Sequence, residues 1–178
     1  MRRPSVSEWG TATYGDPCRE CGFAWTLSLD DAVAHMARFP ASYDEMLAPA
    51  TGNERHPDLA WSACDYVSHV ADNLRIWTER LMGVVMGASP VVGGYDEGEL
   101  ARARNYARIP LEAALWSLRR STTELLNAVA SSNPSGTVLI HPQRGELDLC
   151  AVVLSNTHDA QHHLWDIERT LSVATGHF

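Results

Sequence analysis

The segment that follows Pro110 carries apolar residues at the spacing of an amphipathic α-helix. They recur every three, four or seven positions, as Leu111, Leu115, Leu118, Leu125 and Val129. Pro110 suits the first position of a helix, and residues 131–136 (SSNPSG) cannot sustain one. The pattern therefore predicts a long helix between these two points, with one face directed into a protein core.

Three further segments show the same helical period. One is expected to begin at Ser28, whose hydroxyl can cap the first turn, and to run toward Met46 with a break near Pro40. The others span roughly 62–86 and 148–174. Four such segments predict an all-α protein, a four-helix bundle, in which binding sites are commonly built from side chains on facing helices.

The remaining stretches connect these helices or precede them. A short helical turn is expected over 97–104, an extended excursion with a turn over 137–146, and a helix stop at Gly176. Residues 1–27 are rich in Gly, Pro, Thr and Cys and predict an irregular N-terminal arm. At 178 residues the chain is long enough for one domain, made of this arm and a bundle over 28–178.

Charge and composition exclude several classes of partner. The formal net charge is -8, which opposes binding to the phosphate backbone of nucleic acid. No apolar run has the length of a membrane span, and the start of the sequence lacks the apolar segment of a secretory signal. We therefore expect a cytoplasmic protein that acts on a small molecule, with neither nucleic acid nor membrane as partner.

Two histidines in the last helix have metal-ligand spacing. His158 and His162 are four residues apart, so both rings can reach one point beside the helix. They interrupt an apolar stripe, where an unpaired polar group would cost about 1–3 kcal/mol. His69, on the predicted core side of another helix, would complete a three-histidine site with an open position for water or substrate. The alternative is that one or two of them are hydrogen-bonded core residues.

Neighbouring residues were assigned from helical phase. Asp72 and Asp166 lie within one turn of His69 and His162 and could each orient an imidazole ring, or could pair with a nearby arginine instead. Asp159 is expected to point elsewhere on the helix. His163, about 100° from His162, is expected to face another surface. Candidate pocket residues are Tyr66, Asn73 and Tyr106.

Cys18 and Cys21 have the spacing of half a zinc site. In a reducing compartment such a pair suggests a structural zinc ion, a redox dithiol or an inert pair, in that order. A zinc ion needs two more ligands, and the sequence cannot choose among the distant candidates His35, His56, Cys64, His141 and His177. A second metal centre is therefore possible beside the histidine site.

Several of these segments resemble the DinB-like superfamily of metal-binding four-helix bundles. WSACDYVSHVADNLRIWTERL resembles its second helix and HDAQHHLWDIERTL its last, and the likeness covers most of residues 28–174. The N-terminal CRECGF together with HDAQHHLWD is similar to an actinobacterial branch. The resemblance implies ligands at His69, His158 and His162, usually with zinc or nickel bound.

Activities known in that superfamily suggest what to expect here. Some members are mycothiol- or bacillithiol-dependent transferases or a maleylpyruvate isomerase, and others are known only to bind metal. The resemblance therefore implies a metal-dependent S-transferase or isomerase that uses a small thiol. A thiol-independent hydrolase or cyclase, or a non-catalytic binding protein, are the alternatives. A homodimer is one assembly that such a bundle allows.

Overall fold

The computed structural model describes residues 6–174, with side chains for residues 9–173. Gly176 and His177 lie outside the described residues. Seven α-helices and one β-hairpin follow each other in the described part of the chain: α1 (Val6–Tyr14), α2 (Leu29–Met36), α3 (Phe39–Leu47), α4 (Ala63–Val85), α5 (Glu97–Arg104), α6 (Leu111–Ala130), β1 (Val138–His141), β2 (Gly145–Asp148) and α7 (Leu149–Ala174). A 3-10 turn over Tyr106–Arg108 separates α5 from α6.

The bundle is formed by α4, α6, α7 and the broken helix α2–α3. Ser28 caps α2 by accepting a hydrogen bond from the backbone N–H of Asp31, and Pro40 lies in the first turn of α3, where the break was expected. Ser62 and Asp65 form a reciprocal capping box at the start of α4. These local signals confirm the predicted helices and their order.

The core lies where α4 faces α6 and α7. Leu74 and Leu81 from α4 meet Leu118 and Leu125 from α6, and each of these side chains is at most 1% exposed. Full burial of a leucine contributes about 2 kcal/mol of transfer free energy, so this contact supplies much of the driving force for folding. None of the helices in residues 6–174 is both long and apolar enough to cross a membrane.

The predicted irregular arm is partly wrong, because its first residues form α1. The sequence around Gly10 has low helix propensity, but the helix packs against α7 and the ring of Trp25 lies directly over Gly10. Tertiary contacts outweigh propensity here. From Gly15 to Leu27 the arm is irregular, and Cys18, Phe23 and Trp25 belong to the same buried core as the bundle.

The excursion over 137–146 is the β-hairpin, paired in antiparallel register from Val138 opposite Asp148 to His141 opposite Gly145. The connection between α4 and α5 lies beside it, because Ile140 donates its backbone N–H to the carbonyl of Pro90 at 2.8 Å. The hairpin turn thereby brings Arg144 next to the bundle helix α4.

Two candidate metal centres on one helix

Helix α7 carries two pairs of potential metal ligands. The members of each pair are four residues apart, and the second pair begins one residue after the first. His158 and His162 form one pair, and Asp159 and His163 form the other. Successive residues on a helix are about 100° apart, so the two pairs face different neighbours. The first pair faces the N-terminal arm, and the second faces α4.

The structure divides the three predicted histidine ligands between two clusters. His158 and His162 lie with Cys18 and Cys21, and the four ligand atoms are all within 4.8 Å of one another. His69 lies instead with Asp159 and His163, again within 4.8 Å. The predicted grouping of His69 with His158 and His162 is therefore not the arrangement found. The phase assigned to α4 aimed His69 at the wrong strip of α7.

The first group, the arm cluster, joins Cys18, Cys21, His158 and His162. Sγ of Cys18 is 3.9 Å from Nδ1 of His162. Burial and the neighbouring His162 lower the pKa of His158 to about 4. Burial and the adjacent Cys18 raise the pKa of Cys21 to about 12. Without a cation, this cluster therefore holds neutral imidazoles beside a protonated thiol.

The second group, the α4 cluster, joins His69, Asp159 and His163. Nε2 of His69 and Nε2 of His163 are each 3.7 Å from Oδ1 of Asp159. His69 is only 1% exposed, and neither of its ring nitrogens has a hydrogen-bond partner among the described residues. A buried imidazole that makes no hydrogen bond and lies 3.7 Å from a carboxylate, with a second imidazole beside it, is a donor set that a divalent metal ion would satisfy.

The Asp159 carboxylate sets the electrostatics of the α4 cluster. Burial opposes charge on His69, but the nearby Asp159 more than offsets it, so the pKa of His69 is raised. Burial likewise opposes charge on Asp159, and its contacts with His69 and His163 hold its pKa well below the usual range. A carboxylate and basic nitrogens can therefore remain together here at neutral pH.

Outer contacts hold these ligands in place. Asn73 donates to Oδ2 of Asp159 at 3.0 Å and itself accepts from the hydroxyl of Tyr95 at 2.9 Å. Nδ1 of His163 lies 3.0 Å from Oδ2 of Asp166. Such contacts fix the orientation of metal-binding side chains.

The other predicted residues have mixed outcomes. Asp166 contacts His163, whereas it was expected to orient His162. Asp72 pairs with arginines, Arg75 at 3.3 Å and Arg104 at 3.1 Å, and accepts from the hydroxyl of Tyr106, and it makes no hydrogen bond with His69. Among the pocket candidates, Asn73 contacts Asp159 and lines a cleft, and Tyr66 stacks on the ring of His163 at 5.1 Å. Tyr106 donates to Asp72 and packs edge-on against the ring of Trp61.

The candidate partners of the cysteine pair are also resolved. His158 and His162, which had been grouped with His69, lie beside Cys18 and Cys21. His35 stacks on Phe39, His56 accepts from Asp58, Cys64 contacts the carbonyl of Ile109, and His141 lies on the hairpin. His177 is outside the described residues.

A shallow, open cleft lies beside Asn73, whose side chain contacts Asp159 of the α4 cluster. Asn73 and Tyr95 form the wall nearest Asp159, and its lining includes Trp77, Arg80, Gly94, Glu97, His141, Gln143 and Arg144. The guanidinium groups of Arg80 and Arg144 lie 4.6 Å and 5.5 Å from the centroid of the Trp77 ring. Neither arginine forms an ion pair with a carboxylate of the described residues. Sequence reasoning missed this cleft, since Arg144 reaches it only through the hairpin.

The fold and these clusters define a helical bundle with two groups of side chains suited to a divalent metal ion. The sequence profile of the DinB superfamily matches residues 34–167, and the chain belongs to that superfamily. The solved structure of YfiT from Bacillus subtilis aligns with a TM-score of 0.73 over 85% of this chain and 91% of that one, at 16% identity. YfiT is described as a probable metal-dependent hydrolase with an unusual four-helix bundle topology. No curated protein matches the sequence.

Proposed function

We propose that the chain is a metal-dependent enzyme whose reactive ion is held by His69, Asp159 and His163. The observation that carries this proposal is the buried His69 ring, whose two nitrogens lack hydrogen-bond partners and which faces the other two groups. Three protein ligands leave at least one coordination position open, which is typical of catalytic rather than structural sites. Two imidazoles and one carboxylate suit zinc, nickel or iron.

When bound, a divalent ion there would activate a thiol or a water as nucleophile, or polarise a carbonyl group of the substrate. The protein's own residues prepare the site. Asn73 holds Asp159 from one side and Asp166 holds His163 from the other, so neither ligand needs to reorient. Because Nδ1 of His163 contacts Asp166, its other ring nitrogen, Nε2, points toward Asp159.

The cleft favours a small substrate with an anionic group. Burial and, to a lesser degree, the positive charge of Arg144 lower the pKa of Arg80, so the two guanidinium groups are close enough to repel each other. A carboxylate or phosphate bound between them would relieve that repulsion. The exposed Glu97 at the rim would disfavour substrates with several negative charges.

The reaction we propose first is thiol-dependent: an S-transfer to, or isomerisation of, a small electrophilic acid, with mycothiol or a related cellular thiol as cofactor. Its support is the resemblance of the sequence to thiol-dependent members of the superfamily, and a thiol-rich cytoplasm fits it. The second candidate is hydrolysis without a thiol, because YfiT is described as a probable hydrolase. Both reactions use the same three ligands.

The test is turnover by the purified, metal-loaded protein of small electrophilic acids and of esters or amides of the same acids, with and without added thiol. Product that forms only when metal and thiol are both present supports the first candidate, and product without thiol supports the second. His69→Ala is expected to lose both metal at this site and turnover. His56→Ala, which removes a histidine from the loop before α4, is the matched control and should keep both. Full activity in His69→Ala would contradict the proposal.

The anion-binding role has its own test. Arg80→Gln and Arg144→Gln should each raise KM for the acid by about 10-fold while kcat changes little, since a charged hydrogen bond contributes about 1.5–3 kcal/mol. Neutral amides of the same substrates should show no such difference between the variants and the unaltered protein. An equal loss on acids and amides would count against an anion subsite.

A further inference from the structure

The arm cluster is not used by the proposed reaction, and its geometry suggests a separate purpose. A thiolate sulfur and an imidazole nitrogen that share one tetrahedral zinc ion lie about 3.6 Å apart, given the usual bond lengths. Sγ of Cys18 and Nδ1 of His162 are 3.9 Å apart. The four side chains therefore already lie close to the spacing that one zinc ion requires.

His158 needs a partner that the described residues do not provide. Its side chain is 5% exposed, and its Nε2 is buried without a hydrogen bond. The rings packed on it include Phe23 at 5.5 Å and Trp25 at 4.6 Å between centroids. The ring of Tyr14 also packs on it, at 4.4 Å, and none of these three rings forms a hydrogen bond with Nε2 of His158. A metal ion would satisfy this nitrogen.

The backbone of the arm brings its two cysteines to the same side. The carbonyl of Cys18 accepts from the N–H of Gly22 at 3.0 Å, and the N–H of Cys18 donates to the carbonyl of Phe23 at 2.8 Å. Gly22 has φ +71°, a left-handed conformation that closes this turn and that glycine adopts without strain. Gln161 then donates to the carbonyl of Cys21 at 2.7 Å, which connects the turn to α7.

The donor set also matches zinc in charge and in number. Two thiolates balance the charge of one divalent ion, so the occupied cluster would be neutral, as its burial among aromatic rings requires. Two sulfur and two nitrogen ligands complete a tetrahedron and leave no position for a substrate. Such a site stabilises a fold and does not take part in turnover.

We propose that Cys18, Cys21, His158 and His162 bind a closed structural zinc ion that fastens the N-terminal arm to α7. The site is distinct from the α4 cluster, although both draw ligands from the same two turns of the helix. It accounts for an arm with one short helix being part of the common core. It also explains why two adjacent histidines, His162 and His163, have different partners.

The experiment isolates this ion from the proposed catalytic one. His69→Ala protein, expressed with zinc, should retain one zinc ion per chain by atomic emission, and its X-ray absorption spectrum should show two sulfur neighbours per zinc. Adding Cys18→Ser and Cys21→Ser should remove that zinc. Adding Cys64→Ser and Cys150→Ser instead is the matched control, since these two cysteines lie outside both clusters, and should leave the zinc in place.

Two results would overturn the proposal. One is a zinc content that does not change when Cys18 and Cys21 are replaced. The other is a spectrum of the His69→Ala protein, or of the unaltered protein, without sulfur around zinc, and this result holds even if the cysteine variant does not fold.

Discussion

The arm cluster and the α4 cluster use the same helix but differ in what surrounds their histidines. In the arm cluster, burial lowers the pKa values of His158 and His162, and it outweighs the opposing charges of nearby carboxylates, among them the exposed Glu20, 3.5 Å from Nε2 of His162. In the α4 cluster, each histidine faces the carboxylate of Asp159, and the pKa of His69 is raised. The arm cluster therefore has two neutral imidazoles and no carboxylate among its ligands, whereas the α4 cluster already contains one negative charge.

This difference indicates which of the two proposed metal ions would dissociate more easily. Without metal, the α4 cluster can compensate, because imidazolium and carboxylate groups pair with each other. Buried ring nitrogens without a hydrogen bond occur in both clusters, but the arm cluster has no carboxylate among its four ligands to take the place of the ion's interactions. We expect an exchangeable ion beside the cleft and a retained one under the arm.

The sharpest separation of the two clusters comes from replacing adjacent residues. His163→Ala should lower kcat/KM of the proposed reaction by about 1000-fold, since the loss of a ligand exceeds the 10–100-fold cost of losing a group that merely orients one. Its zinc under the arm should remain. His162→Ala should do the reverse, with loss of the arm zinc and less than about 10-fold loss of activity. Metal analysis and steady-state kinetics on both variants measure this, and equal effects would show that the clusters are not separate.

The second prediction concerns stability. Cys18→Ser with Cys21→Ser should lower the free energy of unfolding by about 3 kcal/mol or more, because binding of a structural ion is linked to folding. The arm should also become accessible to proteases near Gly15. Asp159→Asn removes a ligand of the exchangeable ion and the charge that His69 and His163 face, so it should also lower the unfolding free energy, but by less than the double cysteine replacement does. Urea unfolding and limited proteolysis of the two proteins, each saturated with zinc, test this ranking.

The third prediction compares the groups behind the histidines. Asp166 is buried and 3.0 Å from Nδ1 of His163, whereas Glu20 is exposed and 3.5 Å from Nε2 of His162. Asp166→Asn should weaken metal binding at the α4 cluster by about 10–100-fold, and Glu20→Gln should change binding at the arm cluster by less than about 3-fold. Competition with a chromophoric chelator gives both affinities. A larger effect from Glu20→Gln would mean that the arm cluster also depends on a carboxylate.

The sequence predicted the bundle because its helices are specified locally. The caps at Ser28 and Ser62, the break at Pro40 and the leucine stripe of α6 act within a few residues, and all lie where they were expected. Two other features of the fold could not be predicted from local sequence. The helix α1 and the position of Arg144 depend on packing against distant residues, which periodicity does not encode.

The site was predicted in part for a related reason. The spacing of four residues places His158 and His162 in one candidate group, and the same spacing places Asp159 and His163 in another. Choosing the partner of each pair requires the rotation of α7 relative to α4 and to the arm. That rotation is set by the whole core, so the sequence alone does not show that His69 lies beside Asp159 and His163 or that the cysteines lie beside His158 and His162.

The smallest effect is expected in the cleft, which adjoins only the α4 cluster. Nδ1 of His141 accepts backbone N–H groups from Gln143 and Arg144, each at 3.3 Å, an arrangement that requires this nitrogen to be unprotonated. Burial, and then the charges of Arg144 and Arg80, lower the pKa of His141 to about 4 from an ordinary value of 6.5. The unfolded chain therefore binds this proton more readily than the folded protein between those values. Stability falls as pH decreases from 6.5 toward 4, and it does not depend on His141 above that range.

His141→Gln keeps an acceptor on the hairpin but removes the titrating group. As pH falls from 6.5 to 4, the free energy of unfolding of this variant should decrease less steeply than that of the unaltered protein. The two slopes should differ by at most the value for one bound proton, about 1.4 kcal/mol per pH unit. Both proteins should be measured without metal, and both should carry His158→Gln, so that titration of His158 does not contribute to the difference in slope. Identical slopes would mean that His141 keeps its ordinary pKa of 6.5 in the folded protein, so that the cleft would present a third positive group to an anion only below that pH.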